Sequence, residues 1–219
     1  VSMSFLILSV TAGGRPGGTA MAFQPITSKP FGPPDSPTVG TSGKAALRCG
    51  AGLVSVATRG AHVPALLAGR PELMVRGVEE AASIDDLIER ATVVAVGPGL
   101  GRATWGAWLF ESALGSQRPL VVDADALNLL AASPQNVRDA VLTPHPGEAA
   151  RLLGIDTASV QADRFAAART LAKKYDAIVV LKGAGSLVAA PDGRVAVCPW
   201  GNAGMATGGM GDVLTGVIA

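Results

Sequence analysis

The sequence predicts an α/β fold, with a mostly parallel central sheet and helices on both faces. Three observations carry that expectation. Short Val/Ile-rich runs such as TVVAV, LVV and AIVV are unalternated, as strands buried on both faces are. Segments with helical spacing separate them. Each run also stops at a polar or glycine-rich motif at its carboxyl end (GPGLG, DAD, TPHPGE or KG), where open α/β sheets bind ligands.

The elements follow in order. VSMSFLILSV has no basic flank and no clear cleavage site, so it reads as a first core strand and not a signal peptide. Residues 11–43 are rich in Gly, Pro, Ser and Thr, a loop longer than compact domains usually hold. From Lys44, KAALRCGAG ends a helix on glycine. A strand at 53–59, a short helix at 62–69 and a strand at 72–77 come next. Residues 84–91 read as a helix with Asp85 and Asp86 in its first turn, where the dipole favours acids.

A strand at 93–96, a helix at 104–115, a strand within 119–127 and a short helix at 127–132 continue the alternation. AVLTPHPGE (140–148) is a strand running into a helix that starts near Pro146 or Glu148, and 159–174 forms another helix. AIVVLKG (177–183) is a strand, and 186–199 a hairpin turning at Asp192-Gly193. A glycine-rich stretch then leads to a helix over 212–218.

At 219 residues the chain makes one large domain or two small ones, and 48% hydrophobic residues supply a sizeable core. With 16% charged residues and a net charge of +1, it lacks the basic excess of a nucleic-acid binder. Cys49 and Cys198 form no redox or metal-spaced pair, and with only His62 and His145 beside them no structural zinc site is expected. No apolar run reaches the roughly 18 residues of a membrane span, so no membrane partner is expected and the cytoplasm is the default compartment.

The motifs carry the chemistry. GPGLG lets backbone approach a ligand through Gly99 and Gly101, or is a bare turn; it lacks the GxGxxG spacing of a dinucleotide fingerprint. VVDADALN places Asp123 and Asp125 two apart at a strand end. If extended backbone persisted they would share a face and could hold hydrated magnesium or a substrate hydroxyl; alternatively Asp125 caps the next helix. TPHPGE fixes His145 between prolines, with Glu148 following, where both could contact a ligand; His62 reads as structural. In LKGAGS, Lys182 or the amides of Gly183, Ala184, Gly185 and Ser186 suit nucleotide phosphates, although the lysine could equally snorkel to solvent.

GNAGMATGGMGDVLTG (201–216) holds six glycines and one acid, Asp212, ahead of an apolar run. Gly208, Gly209 and Gly211 can form an amide nest for an anion at a helix N-terminus. Asp212 is either that helix's cap or a base. A nest for developing charge beside a proton-accepting carboxylate is a phosphoryl-transfer arrangement.

The ordered set GAGLV, GPGLG, DADALN, TPHPGE, LKG and GNAGMATGGMGDVLTG closely resembles the ADP/ATP-dependent NAD(P)H-hydrate dehydratase family, of ribokinase-like fold, from about Lys44 to Ala219. The resemblance implies repair of (S)-NADHX and (S)-NADPHX with ADP (or ATP) as cosubstrate, Mg2+, and release of AMP and phosphate. It further implies a homo-oligomer. On this chain it makes Asp212 the base, with Gly209 and Gly211 at the anion hole and Gly211 also near the adenylate. Lys182, Gly183, Ala184, Gly185 and Ser186 line the nucleotide site. Gly99, Gly101 and His145 meet the hydrate, and Asn202 and Asp125 support that pocket.

Residues 1–43 fit the family pattern poorly, and family members continue for several helices beyond the point where this chain ends. A truncated domain over 44–219 with an atypical segment before it is therefore expected. The rival within the fold is a small-molecule kinase acting on a vitamin-like or sugar alcohol, against which HPGE and GNAGMATGG argue. A non-catalytic nucleotide-binding module is the rival outside enzymes.

Overall fold

A computed structural model describes residues 5–11, 39–79 and 84–219. Their strands form one nine-stranded sheet in the order β3-β2-β1-β4-β5-β6-β7-β8-β9. These strands are β1 Phe5–Thr11, β2 Leu53–Thr58, β3 Met74–Gly77, β4 Val94–Val96, β5 Leu120–Val122, β6 Ala140–Leu142, β7 Ile178–Leu181, β8 Leu187–Ala189 and β9 Val195–Val197. β2 and β3 pair parallel, as do β4 to β7 in succession. β8 and β9 add the expected antiparallel hairpin, with Gly193 at its turn.

The first strand is antiparallel to both β2 and β4. Its apolar run FLILSVT suits a central position, but the hydrophobic pattern reads the same in either direction. Burial therefore predicts where the strand lies and not which way it points. Most of the 11–43 loop, residues 12–38, lies outside the described residues.

The helices are α1 Val39–Arg48, α2 Val63–Gly69, α3 Asp85–Arg90, α4 Thr104–Gly115, α5 Ala124–Ala132, α6 Pro146–Leu153, α7 Thr157–Ala162, α8 Arg164–Tyr175 and α9 Met210–Ile218. They cover both faces because the short strands are apolar on both. Val94, Val96, Leu120 and Val122 point into a large core with Leu109, Leu130, Leu171 and Tyr175 from α4, α5 and α8. Ala95 and Val121, one residue out of phase, point into a second core with Val54, Val56, Leu66 and Ala46, against which Ile218 packs. α9 lies close on α1 because Gly216 carries no side chain; a Cβ there would meet the Ser42 carbonyl.

Several helix boundaries differ from the sequence reading: α1 starts at Val39, inside the stretch read as a loop, and α9 starts at Met210 and not at 212. The helix expected over 159–174 is two, because Asp163 leaves helical geometry (φ −143°, ψ 84°) and accepts from Ala166 N to cap α8. Asp156 caps α7 in the same way, through Ser159 N. α5 begins at Ala124 and not at 127, so extended backbone does not persist through DAD. His62 keeps a structural place before α2, its Nδ1 3.3 Å from Thr58 Oγ1.

Candidate active site

The motifs converge because β4, β5, β6 and β7 are parallel, so their carboxyl ends share one edge. At the end of β4, Gly97 passes so close to β5 that a Cβ would collide with the Asp123 carbonyl. Its φ of +134° is also a value that favours glycine. The GPGLG turn is tied down by Asp125, whose Oδ2 accepts from Gly101 N at 2.8 Å. Asp125 therefore supports the turn carrying Gly99 and Gly101; it does not cap α5 and does not share a face with Asp123.

Asp123 is the buried centre of the site, 1% exposed. Lys182, just past β7, donates from Nζ to its Oδ1 at 2.7 Å. Thr215 on α9 donates to Oδ2 at 2.9 Å. Each oxygen thus has a donor within the protein, and with Asp125 turned to Gly101 N the two carboxylates do not form the shared-face pair that an extended DAD would give. The same ammonium lies 3.8 Å from Glu148 Oε2. Burial pushes the Glu148 carboxyl above its ordinary value, while Lys182 and the His145 amide pull it down.

His145 does more local work than its sequence context suggested. It is the N-cap of α6, and its Nδ1 accepts from Gly147 N at 3.0 Å and Glu148 N at 3.4 Å. Glu148 returns the contact, accepting from His145 N at 2.7 Å, which completes a capping box. An accepting Nδ1 places the ring proton on Nε2, 3.4 Å from Glu148 Oε1. Burial, then Lys182 and Arg151, push the imidazole below its ordinary pKa, in keeping with this neutral tautomer.

The glycine-rich segment delivers α9 to the same edge. Gly209 is the N-cap residue in left-handed geometry, φ +86°. This corrects one reading of Asp212: it is not the cap but stands in the first helical turn, three residues on. A Cβ on Gly211 would lie 3.4 Å from Lys182 Nζ and 3.5 Å from Asp123 Oδ2, so the turn abuts the charge network. Burial raises the Asp212 pKa from 3.8 to about 6; the Asp123 charge adds to the rise and Lys182 opposes it. A half-buried carboxyl with that pKa is suited to take a proton near neutral pH. Asn202 is exposed and accepts from Gly204 N, shaping the loop before the glycines.

The comparisons agree with this geometry. A sequence model of the NAD(P)H-hydrate dehydratase family matches residues 39–219. The chain belongs to that family. A bifunctional NAD(P)H-hydrate repair enzyme of Coxiella burnetii is 53% identical over 80% of this chain and 36% of its own length. An ADP-dependent (S)-NAD(P)H-hydrate dehydratase of Neisseria meningitidis is 46% identical over 70% of this chain and 53% of its own. The chain thus spans about a third to a half of these relatives. Among solved structures, a ribokinase-like superfamily protein of Enterococcus faecalis superposes with TM-score 0.75 at 31% identity, covering 83% of this chain and 65% of the other. The ADP/ATP-dependent NAD(P)H-hydrate dehydratase of Bacillus subtilis, co-crystallised with ATP/Mg2+ and soaked with CoA, gives TM-score 0.71 at 28% identity, covering 85% and 70%. The fold is ribokinase-like.

Two further residues join the site to which the sequence reading gave no role. Thr215 lies inside GNAGMATGGMGDVLTG, one turn beyond Gly211, and its bond to Asp123 becomes visible only in the fold. Arg164 lies in α8, eighteen positions before Lys182, in a segment that reads as ordinary helix. Among the described residues, no helix is long and apolar enough to cross a membrane.

Proposed function

We propose that this chain carries the ADP-dependent dehydration of (S)-NADHX and (S)-NADPHX to NADH and NADPH, releasing AMP and phosphate. The observation that carries the reading is Asp212: a half-buried carboxyl with pKa raised to about 6, in the first turn of α9 and beside Lys182. Ionised Asp212 takes the proton from the ring hydroxyl of the hydrate as that oxygen attacks the terminal phosphorus of ADP, and the bond from that phosphorus to the bridging oxygen breaks to release AMP. The N–H groups at the start of α9, around Gly209 and Gly211, face the charge that develops on the phosphoryl group. The carbon–oxygen bond then breaks with loss of phosphate, and a proton leaves the neighbouring ring carbon to restore the dihydronicotinamide.

The other roles follow from placement. The turn from Lys182 through Ser186 takes the nucleotide. Gly99, Gly101 and His145 border the hydrate, with Asp125 holding the GPGLG turn and Asn202 shaping the opposite loop. Among the described residues no group of three His, Cys, Asp or Glu is placed to hold a metal. Magnesium would accompany the nucleotide and offset the charge of its phosphates. A cytoplasmic setting and a homo-oligomeric assembly complete the reading, with the family-matched stretch running over 39–219 and β1 joining its sheet.

The experiment is direct. The protein is incubated with (S)-NADHX and Mg2+, with and without ADP, and the near-ultraviolet absorbance of NADH is followed. Recovery only with nucleotide supports the reading, and recovery without it removes the reading. A phosphorylated hydrate that accumulates and never eliminates would make the protein a kinase.

A further inference from the structure

The turn after β7 is held from behind by a single side chain. Arg164, the first residue of α8, donates from Nη1 to the Ala184 carbonyl at 2.6 Å. Its Nη2 donates to the carbonyls of Leu181 at 3.2 Å and Lys182 at 3.5 Å. One guanidinium thus gathers three backbone oxygens within four residues. Its Nε is buried with no hydrogen-bond partner, so the fork is spent on this turn even at the cost of one unpaired donor.

Space is made for it by Gly183, where a Cβ would lie 2.8 Å from Arg164 Nη2. Gly183 also has φ +150°, so the backbone and the guanidinium require the same residue.

The direction of these bonds matters. No described peptide is cis, and in a trans peptide the N–H points opposite to the C=O. Turning the Lys182 and Ala184 carbonyls onto Arg164 therefore aims the N–H groups of Gly183 and Gly185 the other way. The Gly183 N–H meets Ser186 Oγ at 3.3 Å. Ser186 is itself fixed, its hydroxyl donating to the Gly183 carbonyl at 3.1 Å and its own carbonyl accepting from Cys198 N at 2.8 Å. The Lys182 N–H is taken by the Pro144 carbonyl at 2.9 Å and that of Gly183 by Ser186, so the amide that Arg164 aims outward toward an anion is that of Gly185, opposite the Ala184 carbonyl.

We propose that Arg164 is a positioning residue for the nucleotide: it fixes the 181–185 turn and aims the Gly185 N–H at the anionic part of the cosubstrate, without touching it. This rests on the assignment of the 182–186 turn to the nucleotide. A planar fork that spans three carbonyls cannot be replaced by a point charge, so lysine does not substitute.

The test uses ADP with Mg2+ as the probe, measured by calorimetry on wild type, Arg164→Lys, Arg164→Ala and Gly183→Ala, together with Michaelis constants for nucleotide and hydrate. Losing the fork should weaken ADP binding about ten-fold or more in both Arg164 variants. The Michaelis constant for the hydrate should stay within about two-fold, a split that general loosening of the fold would not produce. Gly183→Ala, which keeps Arg164 but displaces it, should reproduce the loss, and adding Arg164→Ala to it should cost little more. Arg164→Lys binding ADP as wild type does would overturn the inference, since charge alone would then suffice. So would equal losses for nucleotide and hydrate. Wild-type protein that binds no ADP would instead overturn the functional assignment beneath it, and the inference with it.

Discussion

Replacing Asp212 with Asn keeps the size and shape of the side chain and removes its ability to take a proton. The structure gives that substitution two signatures. Asp212 does not cap α9, because Gly209 holds the N-cap position, so no cap bond is lost. Its pKa, 3.8 ordinarily, is raised to about 6 by burial and by Asp123. A carboxyl raised in the folded state favours folding when protonated. That contribution is complete below the ordinary value and is lost as pH rises through about 6. At about pH 8 the wild type therefore carries an unfavourable ionised Asp212 that the amide does not. D212N should be at least as stable as wild type at about pH 8, with the advantage shrinking toward about pH 5. A general base contributes about 10²–10⁴ to rate, so turnover should fall by about 100-fold or more. The assay pairs kcat at saturating ADP and hydrate with thermal melting at the two pH values. A variant that turns over within a few-fold of wild type would refute the base assignment. One that melts many degrees lower at about pH 8 would refute the electrostatic account.

Asp123→Asn removes the like charge beside Asp212 and releases Lys182 from its shortest ion pair. Both changes favour ionised Asp212, so the acid limb of kcat/KM, expected near pH 6 in wild type, should move to lower pH. The groups facing this carboxyl are Asp123 and Lys182, with Glu148 and His145 beyond the lysine; Lys44 of the packed helix α1 lies instead along Gly69 of α2. An unmoved limb in a folded variant would separate Asp123 from Asp212. His145→Asn preserves a capping oxygen for α6 while removing the Nε2 proton, so melting should change little. The KM for the hydrate should rise about ten-fold, with that for ADP unchanged; equal effects on the two ligands would return His145 to capping alone.

The parallel pairing of β4 to β7 was legible because these strands are short and apolar on both faces, and helices connect each to the next. The site edge was legible for the same reason: polar motifs at the ends of parallel strands must meet. What the sequence hid was direction and partnership. The run FLILSVT carries no mark of strand polarity, and β1 runs antiparallel to its neighbours. Asp123 and Asp125 look like a pair in DAD, but Ala124 between them is left-handed (φ +47°), which sends one to Lys182 and the other to Gly101. A histidine between prolines looked free for a ligand, whereas half of its capacity goes to the α6 backbone. Arg164 and Thr215 act across long sequence separations, and only the packed fold shows them.

The central claim is that water leaves the hydrate as phosphate, after the ring hydroxyl has attacked the nucleotide. Hydrate carrying oxygen-18 in that hydroxyl tests it most directly, with the released phosphate and the solvent examined by mass spectrometry. If Asp212 activates the hydroxyl for attack on phosphorus, the label must appear in inorganic phosphate, one labelled oxygen for each NADH formed. Label found in water, with phosphate unlabelled, would mean direct dehydration beside an uncoupled nucleotide hydrolysis and would contradict the account.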